Sequence, residues 1–491
     1  MNRRSGTIWA GLALPLLVLL SATIVGARLT PAEVGLWASA IALLILLCLN
    51  ESLERRRGER WGPLSLVLLQ LSAGYGIGCL YFAYNPIGDS RLTVPEDSLV
   101  WASMLGALAA WATWIGYLAS RDPLTRALKR TSERLALRVS GASTVEGIIV
   151  LEVFGWLGRF AVVARGQYFH IGDNVRSDGL TVISVALANL PVLAALVLAT
   201  KKWQSGLTLR FVWVLIAIEL AWALPSGTRA SVVSLVVGLV ILRSRCRRPL
   251  PRAAILSASV LCVAVLFPFA AAYRGNDSSY SRDPMLAARV AWSKTTSGGI
   301  QDMAETGIEA TLGRFSDGLS AAVVHEGRSV DADSVGASLG MYLLSSPIPR
   351  ALLPDKPNPG TFGNEFGRAY GLVRPNDSVT SIAVSQPLHF YMQSSWLGVL
   401  ILMPLSGVLY RALECLVLGA RSVVMNGLYG SMAFSIAASI GTILPLGLVG
   451  LVKTTLVSLI FLTLASWTAE IVGGARGTSR RIELPVGWQI S

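Results

Sequence analysis

Charge is scarce in this 491-residue chain: Asp, Glu, Lys and Arg make up 14% of it, against roughly 25% in ordinary soluble proteins. The deficit excludes a standard cytosolic enzyme, a disordered chain and a collagen-like repeat. Histidine is scarcer still, with three copies, His170, His325 and His389. They lie too far apart in sequence for the tight His spacing of a zinc-binding helix, so no metal site is expected. The five cysteines, Cys48, Cys79, Cys246, Cys262 and Cys415, form no CxxC pair and read as packing residues, not as a disulfide framework. No nucleic-acid motif accompanies the net charge of +13, and no nucleic-acid partner is expected.

What the chain has is apolar residues, 53% of the total. A helix spans the hydrocarbon with about twenty of them, because every backbone amide must be satisfied within the segment. Twelve such segments are predicted: 7–27, 32–50, 62–84, 98–119, 144–164, 180–200, 208–225, 229–242, 253–272, 386–410, 424–444 and 446–469. The fold class is therefore an all-α polytopic membrane protein of about twelve transmembrane helices. Its organisation reads as helices one to nine over 1–272, a large extracytoplasmic loop over 273–385, helices ten to twelve over 386–469, and a cytoplasmic tail over 470–491. The first segment, following Arg3 and Arg4, is taken as a retained helix.

Basic residues resist translocation and collect in cytoplasmic loops. With both termini inside, the inner stretches hold Arg55 to Arg57, Arg121 to Arg138, Lys201 and Lys202, Arg243 to Arg252, and Arg476 to Arg481. The short outer loops hold Arg28, Arg91, Arg165, Arg176 and Arg229. In the long loop, Ile308, Leu312, Phe315, Leu319 and Val323 recur at helical spacing. Its second half, rich in Pro and Gly, describes a turn-rich cap. There Phe362, Phe366 and Tyr370 are expected to pack onto something instead of lining a solvated linker.

Ionisable groups inside a membrane are functional hypotheses by default. Glu152 and Arg159 share a face of the fifth segment, and a buried ion pair is the bland reading. Glu219 and Lys453 are similar cases that can pair with each other. Ser226-Gly227-Thr228-Arg229 forms a tight outer turn, in which Arg229 presents a charged fork. Arg274, Arg314 and Arg350 would add to one outer cationic patch suited to phosphate. His389 lies where the long loop enters the tenth segment, in Gln386-Pro387-Leu388-His389-Phe390-Tyr391. Imidazole titrates near neutral pH and suits proton transfer; the alternative is an interfacial histidine bonded to backbone.

Several of these stretches resemble one family. Arg165-Gly166-Gln167-Tyr168, the Ser-Gly-Thr-Arg turn, and Ile348-Pro349-Arg350 with Leu353-Pro354-Asp355-Lys356-Pro357 look like the bacterial O-antigen and exopolysaccharide repeat-unit polymerases (Wzy-type). Thr380-Ser381-Ile382 through His389 to Gly398 is similar to those polymerases and to the related O-antigen ligases. The resemblance covers mainly 150–410. No outer arginine here is followed by ten residues and a glycine, as in some polymerases.

The resemblance implies a glycosyltransferase of the GT-C class in the bacterial inner membrane. Such an enzyme transfers a growing glycan from undecaprenyl diphosphate onto the next lipid-linked repeat unit at the outer face. It implies His389 and Arg229 in catalysis, and Arg159, Arg165, Arg274, Arg314 and Arg350 in binding diphosphate or glycan. No cofactor is implied, and a chain-length-regulating co-polymerase is an implied partner. Residues 28–31 form almost no first outer loop, unlike the metal-dependent branch of the class, so metal-independent chemistry is expected. Two other readings stay open: an O-antigen ligase acting on lipid A core, and a lipid-linked oligosaccharide flippase or secondary transporter.

Overall fold

The computed structural model describes residues 30–56, 61–85, 93–165, 186–205, 211–223, 229–246, 265–274, 284–297, 317–327, 362–376, 382–419, 422–444 and 447–475, with 184, 299, 302, 345, 348 and 353 as single positions. Every regular element among them is helical. Eight helices are long and apolar enough to cross a membrane, so the chain is compatible with a polytopic membrane protein.

The spanning helices are α1 (Pro31–Arg56), α2 (Pro63–Tyr84), α3 (Glu96–Ala119), α5 (Val145–Ala164), α6 (Ala186–Ser205), α13 (Gln386–Leu418), α14 (Val423–Ile440) and α15 (Leu448–Ala475). Between them lie α4 (Arg121–Arg138), α7 (Phe211–Ala223), α8 (Arg229–Arg245), α9 (Phe267–Arg274), α10 (Pro284–Thr296), α11 (Asp317–His325) and α12 (Phe362–Ala369). The expected segments 208–225 and 229–242 fold as α7 and α8, of 13 and 17 residues. Their described residues cover about 20 and 26 Å. Segment 7–27 and most of 253–272 lie outside the described residues.

Glycines set how closely the central helices meet. Gly116 of α3 sits against the backbone of Pro404, and Gly407 of α13 against the backbone of Thr113; a Cβ at either would overlap its neighbour. Small residues permit such approach in lipid, where packing replaces the hydrophobic effect as the force between helices. α13 thereby buries Val399, Met403 and Tyr410.

One end of the bundle carries the basic residues. There α4 follows α3 directly, and Arg411 of α13 donates to Thr125 at 2.8 Å and to Glu414, which also accepts from the Tyr117 hydroxyl. Glu54 accepts from Asn50 at 2.9 Å, from the Gly62 amide at 2.9 Å and from Ser65 at 3.0 Å. Nearby, the Tyr429 hydroxyl donates to the Trp61 carbonyl and its ring faces Arg245 at 5.2 Å. Glu54 thus ties α1 to α2, and Arg411 with Glu414 ties α13 to α3 and α4; charge-assisted bonds of this kind satisfy groups that lipid cannot.

Candidate functional site

At the opposite end the chain departs from a plain bundle. α13 is not one straight helix: Ser394 (φ −150°, ψ 26°) and Ser395 (φ 54°, ψ −149°) break it. Ser395 occupies a region that a residue other than glycine enters at a cost of about 1–3 kcal/mol. Beyond the break, Gly398 lies against the Phe390 carbonyl, where a Cβ would collide. Ser406 donates to the Gln386 side-chain carbonyl at 3.2 Å. On a continuous helix those two residues would stand about 30 Å apart. Residues 386–393 are therefore a short arm folded back on the spanning arm 396–418, so the expected segment 386–410 contains a break.

The buried N-terminal end of the short arm is held from three sides. Gln386 donates to the Ser439 carbonyl at 2.8 Å, and Tyr410 and Ser439 share a hydrogen bond at 2.6 Å. The Ser385 hydroxyl meets the Tyr75 hydroxyl, whose oxygen also receives the Leu388 backbone N–H. Tyr75 thus caps the arm. It does so from Ser72–Ile77, a π-helical turn within α2, and such turns mark irregularities that sites often use.

A second short helix runs alongside. α11 is linked to the arm by the Ser320 hydroxyl, which donates to the Ala383 carbonyl at 3.0 Å. Its far end lies at the rim of the bundle: His325 shares a hydrogen bond with Ser98 at 3.2 Å and stacks on Trp101 at 4.6 Å. Trp101 also meets Tyr391 and Trp396 edge-on, at 4.8 and 5.5 Å. Its near end is Asp317, 3% exposed, whose carboxylate receives the Gln70 amide at 3.4 Å. An added Cβ on Gly441, two residues beyond Ser439, would stand 3.6 Å from that carboxylate. The described part of α11 and the short arm therefore both have their C-terminal residues at the Trp101 rim, with Asp317 and Gln386 deeper in the bundle, on the side of the π-turn.

The expected site residues distribute unevenly. His389 lies on the short arm, fully buried, with its ring centroid 5.6 Å from that of Phe362. Neither ring nitrogen has a hydrogen-bond partner among the described residues, so the expected alternative of a backbone-bonded interfacial histidine is not what is seen. Phe362 and Phe366 of α12 are buried, so this part of the long loop packs into the bundle.

Arg159 is 1% exposed and pairs with Glu219, while its guanidinium lies between Trp156 and Trp222, 4.8 Å from each ring centroid. Its Nε also donates to the Ala188 carbonyl at 3.3 Å. The ion partner is thus Glu219, not the expected Glu152. Arg165, at the C-terminal end of α5, is exposed. Arg229 opens α8 and Arg274 closes α9, with their side chains outside the described positions; Arg314 and Arg350 lie outside the described residues altogether.

Sequence reasoning missed Asp317, Gln70, Tyr75 and Gln386. A signal was present for one of them: Gly74, Gly76 and Gly78 flank Tyr75 in alternation, an unusual density of glycine for a helix interior. Among the described residues no three His, Cys, Asp or Glu side chains gather as metal ligands. Burial raises the carboxyl of Asp317 from its ordinary 3.8 to about 7, with the Gln70 hydrogen bond acting in the other direction. A carboxyl so placed exchanges a proton near neutral pH. Comparison of the chain with protein-family models, with curated proteins and with solved structures finds no match.

Proposed function

We propose that the chain is a polysaccharide repeat-unit polymerase. In this reading the basic end faces the cytoplasm, and the Trp101 rim faces outward in a bacterial inner membrane. The reaction transfers a growing glycan from undecaprenyl diphosphate to a hydroxyl of the next lipid-linked unit. The acceptor O–H bond breaks as its oxygen bonds the anomeric carbon. The bond from that carbon to the diphosphate oxygen breaks, and its electron pair leaves with the diphosphate. Such a step needs a proton acceptor, stabilisation of the departing charge, and lateral entry for two lipid-borne substrates.

The observation that carries the reading is the folded-back arm at 386–393. It carries His389, whose ring nitrogens have no hydrogen-bond partner among the described residues, in the half of the bundle away from the basic end. The family resemblance offers His389 as the proton acceptor and Arg159, Arg165, Arg229, Arg274, Arg314 and Arg350 as the diphosphate-binding set. A GT-C-like arrangement and a co-polymerase partner belong to the same reading.

Purified protein in lipid nanodiscs, given lipid-linked repeat units and a chelator, should extend them into a ladder, and His389→Ala should not. Unextended units with the native protein would remove the assignment. Extension that ceases with chelator and returns with a divalent ion would remove its metal independence.

A second reading has its own support. Discontinuous helices whose ends lie inside the bundle are how secondary transporters build their sites, and the break in α13 has that form. A flippase would move labelled lipid-linked units across a vesicle bilayer without lengthening them. A ligase would attach the finished glycan to lipid A core.

A further inference from the structure

The bundle buries several ions, and all but one of those described above have a countercharge or a full set of donors. Arg159 has Glu219, Glu414 has Arg411, and Glu54 has three donors. Asp317 is the exception. Its single described hydrogen bond is to the neutral Gln70 amide, at a long 3.4 Å. A charged carboxylate so placed is costly unless it is used.

Its surroundings were shaped to admit it. Gly74, in the π-turn, lies against the carboxylate where any Cβ would collide, and Gly318 lies close to the Cys79 sulfur and the Gly74 carbonyl. The groups facing Asp317 are Gln70 and Tyr75 and Cys79 of α2. α3 carries its charges at Glu96 and Asp97, in the first turn beside Ser98 and His325. That is the other end of α11, about 12 Å away along the helix. On α13, His389 has its described ring contacts with Phe362 and Phe390, and Arg411 and Glu414 lie at the basic end. No guanidinium or ammonium group among the described residues is bonded to the carboxylate.

We propose that Asp317 is the proton acceptor of this site, taking the proton of a saccharide hydroxyl held between α11 and the start of the folded-back arm. The inference rests on the polymerase reading and reassigns one step of it. The hydroxyl proton passes to a carboxylate oxygen of Asp317, the hydroxyl oxygen bonds the anomeric carbon, and the electron pair of the broken bond leaves with the diphosphate. Negative charge thus leaves Asp317 as it appears on the leaving group. His389, enclosed by Phe362 and Phe390, is then a positioning residue. Burial favours the acid while the Gln70 hydrogen bond favours the carboxylate, and the opposition keeps the group exchangeable.

The test uses the full chain in lipid nanodiscs and dicyclohexylcarbodiimide, which modifies protonated carboxyls in apolar surroundings. An adduct on Asp317, located by peptide mass spectrometry, should form more at about pH 6 than at about pH 8.5 and should decline when lipid-linked repeat units are added. In the extension assay, Asp317→Asn should lose roughly a hundredfold or more in rate. Asp317→Glu should keep part of the activity with a displaced pH profile, which a merely structural role would not produce. Absence of the adduct, or Asp317→Asn extending glycan at the native rate, overturns the inference. In the latter case the polymerase reading stands. A pH-dependent adduct in a native protein that never extends glycan overturns the polymerase reading instead and leaves proton exchange at Asp317 in place.

Discussion

Gln386 and Ser406 are twenty positions apart in the chain, yet the Ser406 hydroxyl donates to the Gln386 side chain at 3.2 Å. The contact requires the reversal at Ser394 and Ser395, and it brings the start of the short arm to the middle of a spanning helix. From there Gln386 reaches the Ser439 carbonyl on α14. The arm is fastened to two helices that the chain enters later.

That reversal is directly measurable. With the native cysteines replaced, Gln386→Cys combined with Ser406→Cys should be joined by a short thiol-reactive cross-linker in native membranes. A single straight helix would hold the two thiols about 30 Å apart, beyond such a reagent. Cross-linking at background level, in protein that remains folded, would rule out the folded-back arm.

Eight of the twelve expected spans correspond to helices long and apolar enough to cross a membrane, and these were readable because long apolar runs leave little else for the chain to do in lipid. Residues 62–84, 98–119 and 144–164 correspond closely to α2, α3 and α5. The break in α13 was not readable, since two serines inside an apolar run barely change its hydropathy and a backbone reversal there depends on contacts made elsewhere. Amphipathic spacing at Leu319 and Val323 announced a helix in the long loop, and both residues are buried. It did not announce that the helix enters the bundle and carries Asp317 with it. Pairing of Arg159 with Glu219 was equally hidden, because sixty positions separate them and periodicity carries no information about partners on different helices.

Close approach of α3 and α13 yields a packing prediction. Gly407→Val puts a branched side chain where Thr113 backbone already stands, so the helices must separate or the side chain must distort. Overpacking of this kind costs about 1–3 kcal/mol. Thermal unfolding in detergent should begin several degrees lower than in the native protein, and an unchanged midpoint would show that this interface yields freely.

The Arg159–Glu219 pair separates a structural role from a ligand-binding one. Glu219→Leu strands a buried guanidinium between two indoles, a loss on the order of 3–5 kcal/mol, and should sharply reduce folded protein recovered from membranes. Arg159→Met together with Glu219→Leu removes both charges and should recover most of the stability. If the folded double variant also extends lipid-linked units normally, Arg159 leaves the diphosphate-binding set. If it folds but fails to extend them, the arginine serves the substrate as well as the fold.

Asp317 imposes a direction on the pH dependence of stability. Its carboxyl titrates near 3.8 when unfolded and is raised to about 7 in the fold by burial. Between those values the folded protein holds a proton that the unfolded chain has released, so protonation favours folding there. This contribution is complete below the unfolded value and is lost as pH rises through about 7, above which it is absent. Unfolding midpoints of the native protein should therefore fall between about pH 4.5 and pH 7.5 relative to those of Asp317→Asn, whose amide neither binds nor releases a proton. Parallel curves for the two proteins across that range would mean that the carboxyl is already ionised in the fold. A countercharge would then have to lie among the residues around the π-turn.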